Sequence, residues 1–116
     1  MLSVDERFEL LKYTVNACSS DILNMSDHDV KYTLFEELPV DMDGFLRNSV
    51  LDILISEGYI DENIYNKCSE LRKNYMASEE NMKELSDINK IKSSYELGQI
   101  MNLADDILSC LAAEAV

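Results

Sequence analysis

The chain has 116 residues, 47% of them hydrophobic, with 23 acidic residues against 10 basic ones and a formal net charge of −13. That length supports one domain with one core, and such a charge opposes binding to nucleic acid, whose phosphates would repel the surface. With only three glycines and one proline, the punctuation of an all-β chain is missing, so the expected fold is all-α: a single-domain bundle of about five helices spanning residues 1–116.

Ser3 followed by Glu6 forms a capping box for a first helix, expected over Val4 to Leu23. Phe8, Leu11, Val15, Cys18 and Ile22 make its core stripe, and Leu10, Tyr13 and Ala17 make a second apolar patch, so this helix is either sandwiched or presents a contact surface. A second helix begins near Ser26 or Asp27, carries Val30, Leu34, Phe35 and Leu38 inward, and is expected to stop by Leu38, because Pro39 disfavours helical geometry in the residue before it. Residues 39–43 then read as a connection. A third helix, Gly44 to Glu57, is apolar around most of its circumference and should be the most buried.

Gly58 suits the left-handed turn after that helix, and Asp61 with Glu62 restarts a helix whose face is Ile64, Cys68, Leu71 and Tyr75. Residues 77–90 are mostly Ser, Glu, Asn, Lys and Asp, with Met82, Leu85 and Ile88 spaced by three, and are expected to form a mobile loop or a short weak helix. A last helix opens with Ser93 and Glu96 as a capping box and turns Leu97, Ile100, Met101, Ala104, Ile107, Leu108 and Leu111 to one side. Cys18, Cys68 and Cys110 are odd in number, far apart and each set among apolar residues at helical spacing, which suits buried free thiols. The N-terminus lacks the order of a signal peptide and no apolar run is long enough for a membrane span, so a cytoplasmic protein is expected, without membrane contact.

The search for catalytic chemistry finds none. His28, the single histidine, lies between Asp27 and Asp29 at a helix start, where a solvated role is expected. No glycine-rich phosphate loop exists, and one histidine with scattered cysteines supplies no zinc pair. Aligning Gly44 with the invariant glycine of a calcium loop puts Pro39 and Val50 where carboxylates belong. Neighbouring acids such as Glu36 and Glu37 diverge by about 100° on a helix. No enzyme activity, metal or cofactor is therefore expected. A helix-turn-helix over residues 50–75 is set aside on charge.

Location makes the acidity informative. Residues 27–62 hold ten acids against only Lys31 and Arg47. Acids at helix N-termini complement the macrodipole and need no further role, whereas Glu36, Glu37 and Glu57 fall in the expected last turns, where negative charge is unfavourable. The expected partner-binding set is Glu36, Glu37, Asp41, Asp43, Glu57, Tyr59, Asp61 and Tyr95, with tyrosines as anchors inside an acidic field.

The stretches YTLFEELPVDMDGFLRNSVLDILISEGYIDENIYNKCSELRKNY, Tyr32 to Tyr75, and SSYELGQIMNLADDILSCL resemble small helical immunity proteins encoded beside bacterial toxins of contact-dependent inhibition and related systems. The resemblance is one of overall cast, acidic with helices in this order. It implies a cytoplasmic antidote that binds a cognate, basic toxin domain, often a nuclease, and blocks its active site or its access to substrate. Two other readings stand beside it: a non-enzymatic adaptor, acting as a homodimer or through Leu10, Tyr13 and Ala17 on a partner helix, and a DNA-mimic inhibitor of a host enzyme.

Overall fold

A computed structural model of the chain describes residues 2–114; Met1, Ala115 and Val116, included in the expected domain, lie outside the described residues. Seven α-helices run in the order α1 (Val4–Ala17), α2 (Asp27–Tyr32), α3 (Leu38–Phe45), α4 (Asn48–Ser56), α5 (Glu62–Leu85), α6 (Ile88–Lys92) and α7 (Tyr95–Glu114). Five of them have eight residues or more, and no strand occurs among the described residues, as an all-α bundle requires.

The Ser3–Glu6 capping box is formed in both directions, at 3.1 Å each way. Helix α1 nevertheless ends at Ala17 rather than Leu23. The Ser19 hydroxyl donates to the Asn16 carbonyl at 2.7 Å, and the Ser20 N–H is taken by the Asp105 carboxylate of α7 at 3.0 Å. Both pull the chain into a tight 3₁₀ turn at Ser20–Asn24, which still delivers Ile22 to the core.

Pro39 does not stop the second helix. Leu38, the residue before it, keeps helical angles of φ −63° and ψ −35°, and Pro39 sits in the first turn of α3, where a missing N–H is tolerated. The chain runs from α2 through a π-turn, Thr33–Glu37, into α3. In the π-turn the Leu38 N–H bonds back to the Thr33 carbonyl instead of Leu34. With no N–H on Pro39, the Leu34 carbonyl is left without a backbone donor. The hydroxyl of the fully buried Tyr75, from α5, donates to it. The wide turn also suits the apolar spacing: Val30, Leu34, Leu38, Met42 and Leu46 recur every four residues and all are fully buried. In a regular α-helix each four-residue step would rotate that stripe by about 40° away from the core.

Three further expectations are corrected. Helix α4 starts at Asn48, because Phe45 closes α3 and Leu46 caps it. It is not enclosed: it buries Val50, Leu51 and Leu54 while Ile53 stays 37% exposed. Residues 77–90 are not a loop. Helix α5 continues to Leu85, held by the fully buried Met82 and by a Glu79–Lys83 pair of 3.4 Å one turn apart. It stops at Ser86, which turns through φ +61°, and Asp87 caps α6 by accepting from the Asn89 N–H at 2.8 Å. Since Ser93 ends α6, Ser94 rather than Ser93 caps α7, its hydroxyl accepting from Leu97 N–H at 3.2 Å. Gly58 adopts φ +82°, the left-handed turn read from the sequence.

Helices α5 and α7 run antiparallel. Asn63 meets Cys110, Lys67 pairs with Asp106, and Glu70 and Asn74 share a groove with Gln99 and Asn102. Helix α1 packs on α3, α4 and α7. Cys18 and Cys68 are buried free thiols, with burial pushing the Cys68 thiol up to about 12 and Cys18 higher still. No described helix is long and apolar enough to cross a membrane.

Two predictions come from this core. Tyr75→Phe keeps the ring but strands the Leu34 carbonyl, and should destabilise by about 1–3 kcal/mol in urea unfolding. In a Pro39→Ala background the segment can return to α register and give Leu34 a backbone donor, so the same change should be markedly less harmful. Tyr75, Cys18 and Cys68 all hold their protons more tightly in the fold than in the unfolded chain. Their contribution is complete below about pH 8.5 and is lost as pH rises, so the thermal midpoint should fall steadily from about pH 9 upward.

Candidate functional site

The structure divides the expected partner-binding residues into separate places. Glu37 and Asp41 lie one turn apart on the outer side of the helical run from α2 through α3, near enough for the Glu37 charge to act on Asp41, while Glu36 is exposed in a groove with His28, Lys31, Tyr32 and Phe35. Because that run continues past Leu38, Glu36 and Glu37 are in mid-helix, and the macrodipole reason for singling them out does not apply. A different reason replaces it: among the described residues, no Lys or Arg lies within ion-pair distance of any of the three.

Beside them stands Tyr13 of α1, 57% exposed, whose hydroxyl donates to Glu37 Oε1 at 2.8 Å. The bond to Glu37, followed by the charges of Glu37 and Asp41, raises the Tyr13 pKa; Tyr32 is near enough to add to the effect. Partial burial, then the Glu37 charge, raises the pKa of the Asp41 carboxyl. Tyr32 and Val40 are 53% and 69% exposed. The result is a face of two phenols and two carboxylates, Tyr13, Tyr32, Glu37 and Asp41, with Val40 exposed one residue before Asp41. Leu10 and Ala17, the rest of the second apolar patch of α1, are half-buried and buried, so that patch is largely covered and Tyr13 is its exposed edge.

Of the other expected residues, Asp43, Tyr59 and Asp61 are engaged inside the molecule, whereas Glu57 and Tyr95 are exposed elsewhere. Asp43 pairs with Arg72 at 3.4 Å and Arg47 at 3.8 Å. Tyr59 donates to Asp5 and packs on Phe8 with ring centroids 5.2 Å apart. Asp61 caps α5 by accepting from Ile64 N–H at 2.8 Å. Glu57 is exposed at the cap of α4. Tyr95, 75% exposed at the start of α7, accepts from Gln99 away from the acidic face. Reading along the sequence grouped these residues; the packing of α1 against α3 selects a subset and adds Tyr13. Val40 escaped notice because residues 39–43 read as a connection.

Other places offer less chemistry. A groove of about 480 Å³ lies between Phe8, Lys12, Tyr59, Leu108 and Leu111, but Lys12 is held by Glu9 at 2.7 Å and sits over the Phe8 ring at 4.6 Å. His28 is exposed. Among the described residues, no three His, Cys, Asp or Glu side chains converge on a point that would hold a metal ion.

The acidic face and the ion-paired acid respond oppositely to neutralisation. Asp41→Asn removes a carboxylate whose ionisation the fold opposes, and should raise the thermal midpoint at pH 7. Asp43→Asn releases Arg47 and Arg72 and should lower it slightly, by no more than an exposed pair contributes, about 0–1 kcal/mol. Compared with protein-family models, with curated proteins and with solved structures, the chain matches none.

Proposed function

We propose that this chain is a non-catalytic antidote: an immunity protein that binds a cognate bacterial toxin domain with a basic surface, of which a nuclease is the leading type, and neutralises it by covering that surface. The observation that carries the proposal is the acidic face of Glu37 and Asp41 beside Tyr13 and Tyr32, which no internal cation reaches among the described residues. Some acids elsewhere are matched to the few cations, as in Lys67–Asp106, Lys92–Asp27 and Arg72–Asp43. Here two carboxylates stand one turn apart without one, and the Glu37 charge adds a like-charge penalty to the partial burial that raises the Asp41 pKa. A basic partner removes that penalty on binding and is steered to the face during approach.

Exposed aromatic and aliphatic side chains within a polar rim supply the anchors such interfaces use. A toxin that acts on nucleic acid carries basic residues to hold phosphates, and an acidic protein seated there excludes the substrate. The resemblance to small helical immunity proteins supports the same reading.

The test is coexpression with the toxin domain encoded beside this chain. The intact protein should protect the host cell, and Glu36→Lys with Glu37→Lys should abolish protection while leaving the thermal midpoint equal or higher. Rising salt should slow association much more than it speeds dissociation. Absence of protection by the intact chain overturns the proposal, as does a large loss of stability in the double variant, which would make the acids structural.

A further inference from the structure

The shape of the acidic face narrows the side chain that fits it. We infer that the face formed by Tyr13, Glu37, Val40 and Asp41 docks an arginine of a partner protein, its guanidinium laid against the Tyr13 ring and shared between the two carboxylates. The inference deepens the docking-face reading above and does not depend on the partner being a toxin.

Three observations support arginine. First, the face is unpartnered: Tyr13, Tyr32 and Val40 are each more than half exposed, and no internal cation reaches Glu37 or Asp41. That leaves the charge of both carboxylates open to a cation from outside. Second, the ring is held in place. The 2.8 Å bond from the Tyr13 hydroxyl to Glu37 Oε1 orients the phenol beside the carboxylate before any partner arrives, and leaves Oε2 free to accept. Third, Glu37 and Asp41 are one helical turn apart, with about 5–6 Å between their Cβ atoms.

A guanidinium is planar, offers five donors in a fixed fork, is weakly hydrated and stacks on aromatic faces, so one side chain can use the ring and both carboxylates together. An ammonium is a compact, strongly hydrated charge that gains less from the ring and from a second acceptor. Val40, exposed and three residues on from Glu37 along the helical run, gives the methylene stem of the arginine an apolar surface to lie on. A calcium ion would find two carboxylates here, against the six to eight oxygens it takes.

The experiment is an amide NMR titration of the full chain with a capped tetra-arginine peptide and, separately, a capped tetra-lysine peptide at equal ionic strength. The expected result is a several-fold preference for tetra-arginine, with shifts centred on Tyr13, Tyr32 and residues 37–41. Tyr13→Leu should erase the preference, Tyr13→Phe should retain most of it because the ring remains, and Asp41→Asn should weaken tetra-arginine binding several-fold. The same spectra report whether each variant is folded. Equal binding of the two peptides overturns the inference, as does a preference that survives Tyr13→Leu or shifts centred on other acids. Arginine selectivity without protection in coexpression leaves this site standing and removes the toxin reading; protection without arginine selectivity does the reverse.

Discussion

The hydrogen bond from the buried Tyr75 hydroxyl to the Leu34 carbonyl is the contact on which the arrangement of this protein turns. Pro39 supplies no backbone donor, and the wide turn before it commits the Leu38 N–H to Thr33, so a carbonyl inside the core is left without a backbone partner. A buried, unsatisfied carbonyl is costly enough to break a helix at this point. Because α5 brings a phenol to it, the helical run from α2 continues into α3. The long helix and the proline-containing run are thereby tied together, and the stripe from Val30 to Leu46 stays in the core.

The outer face of the same run follows from that continuity. With Pro39 inside a helix rather than at its end, Glu37, Val40 and Asp41 are presented on a rigid surface instead of a connecting loop. Helix α1 packs alongside and adds Tyr13, whose bond to Glu37 crosses between the two segments. Had the helix stopped at Leu38, these residues would have had no common surface.

Charge is used in two ways in this chain. Asp43, Asp106 and Asp27 join helices that are distant in sequence, and Asp61 and Asp87 cap helices. These acids belong to the architecture. Glu36 and Asp41 join nothing in this way, Glu37 accepts only the Tyr13 hydroxyl, and the Glu37 charge adds a penalty to the burial that opposes ionisation of Asp41. Such a penalty is understandable where binding, rather than folding, uses the charge.

Much was legible in the residues alone. The all-α class, the Ser3–Glu6 capping box, the left-handed Gly58 and the buried faces of α5 and α7 all follow from local rules of period, capping and backbone sterics, which operate within a few residues. The acidity of residues 27–62 was legible too. What the sequence did not disclose depends on partners far along the chain: α5 running to Leu85 because Met82 finds a core, α1 ending at Ala17 where Asp105 takes the Ser20 N–H, and Pro39 accommodated by a tyrosine 36 positions later. The site divides along the same line. Its acids were visible as a charge excess, whereas which of them lie unpaired beside Tyr13, and which are spent on Arg47, Arg72 or a helix cap, was decided only when the helices packed.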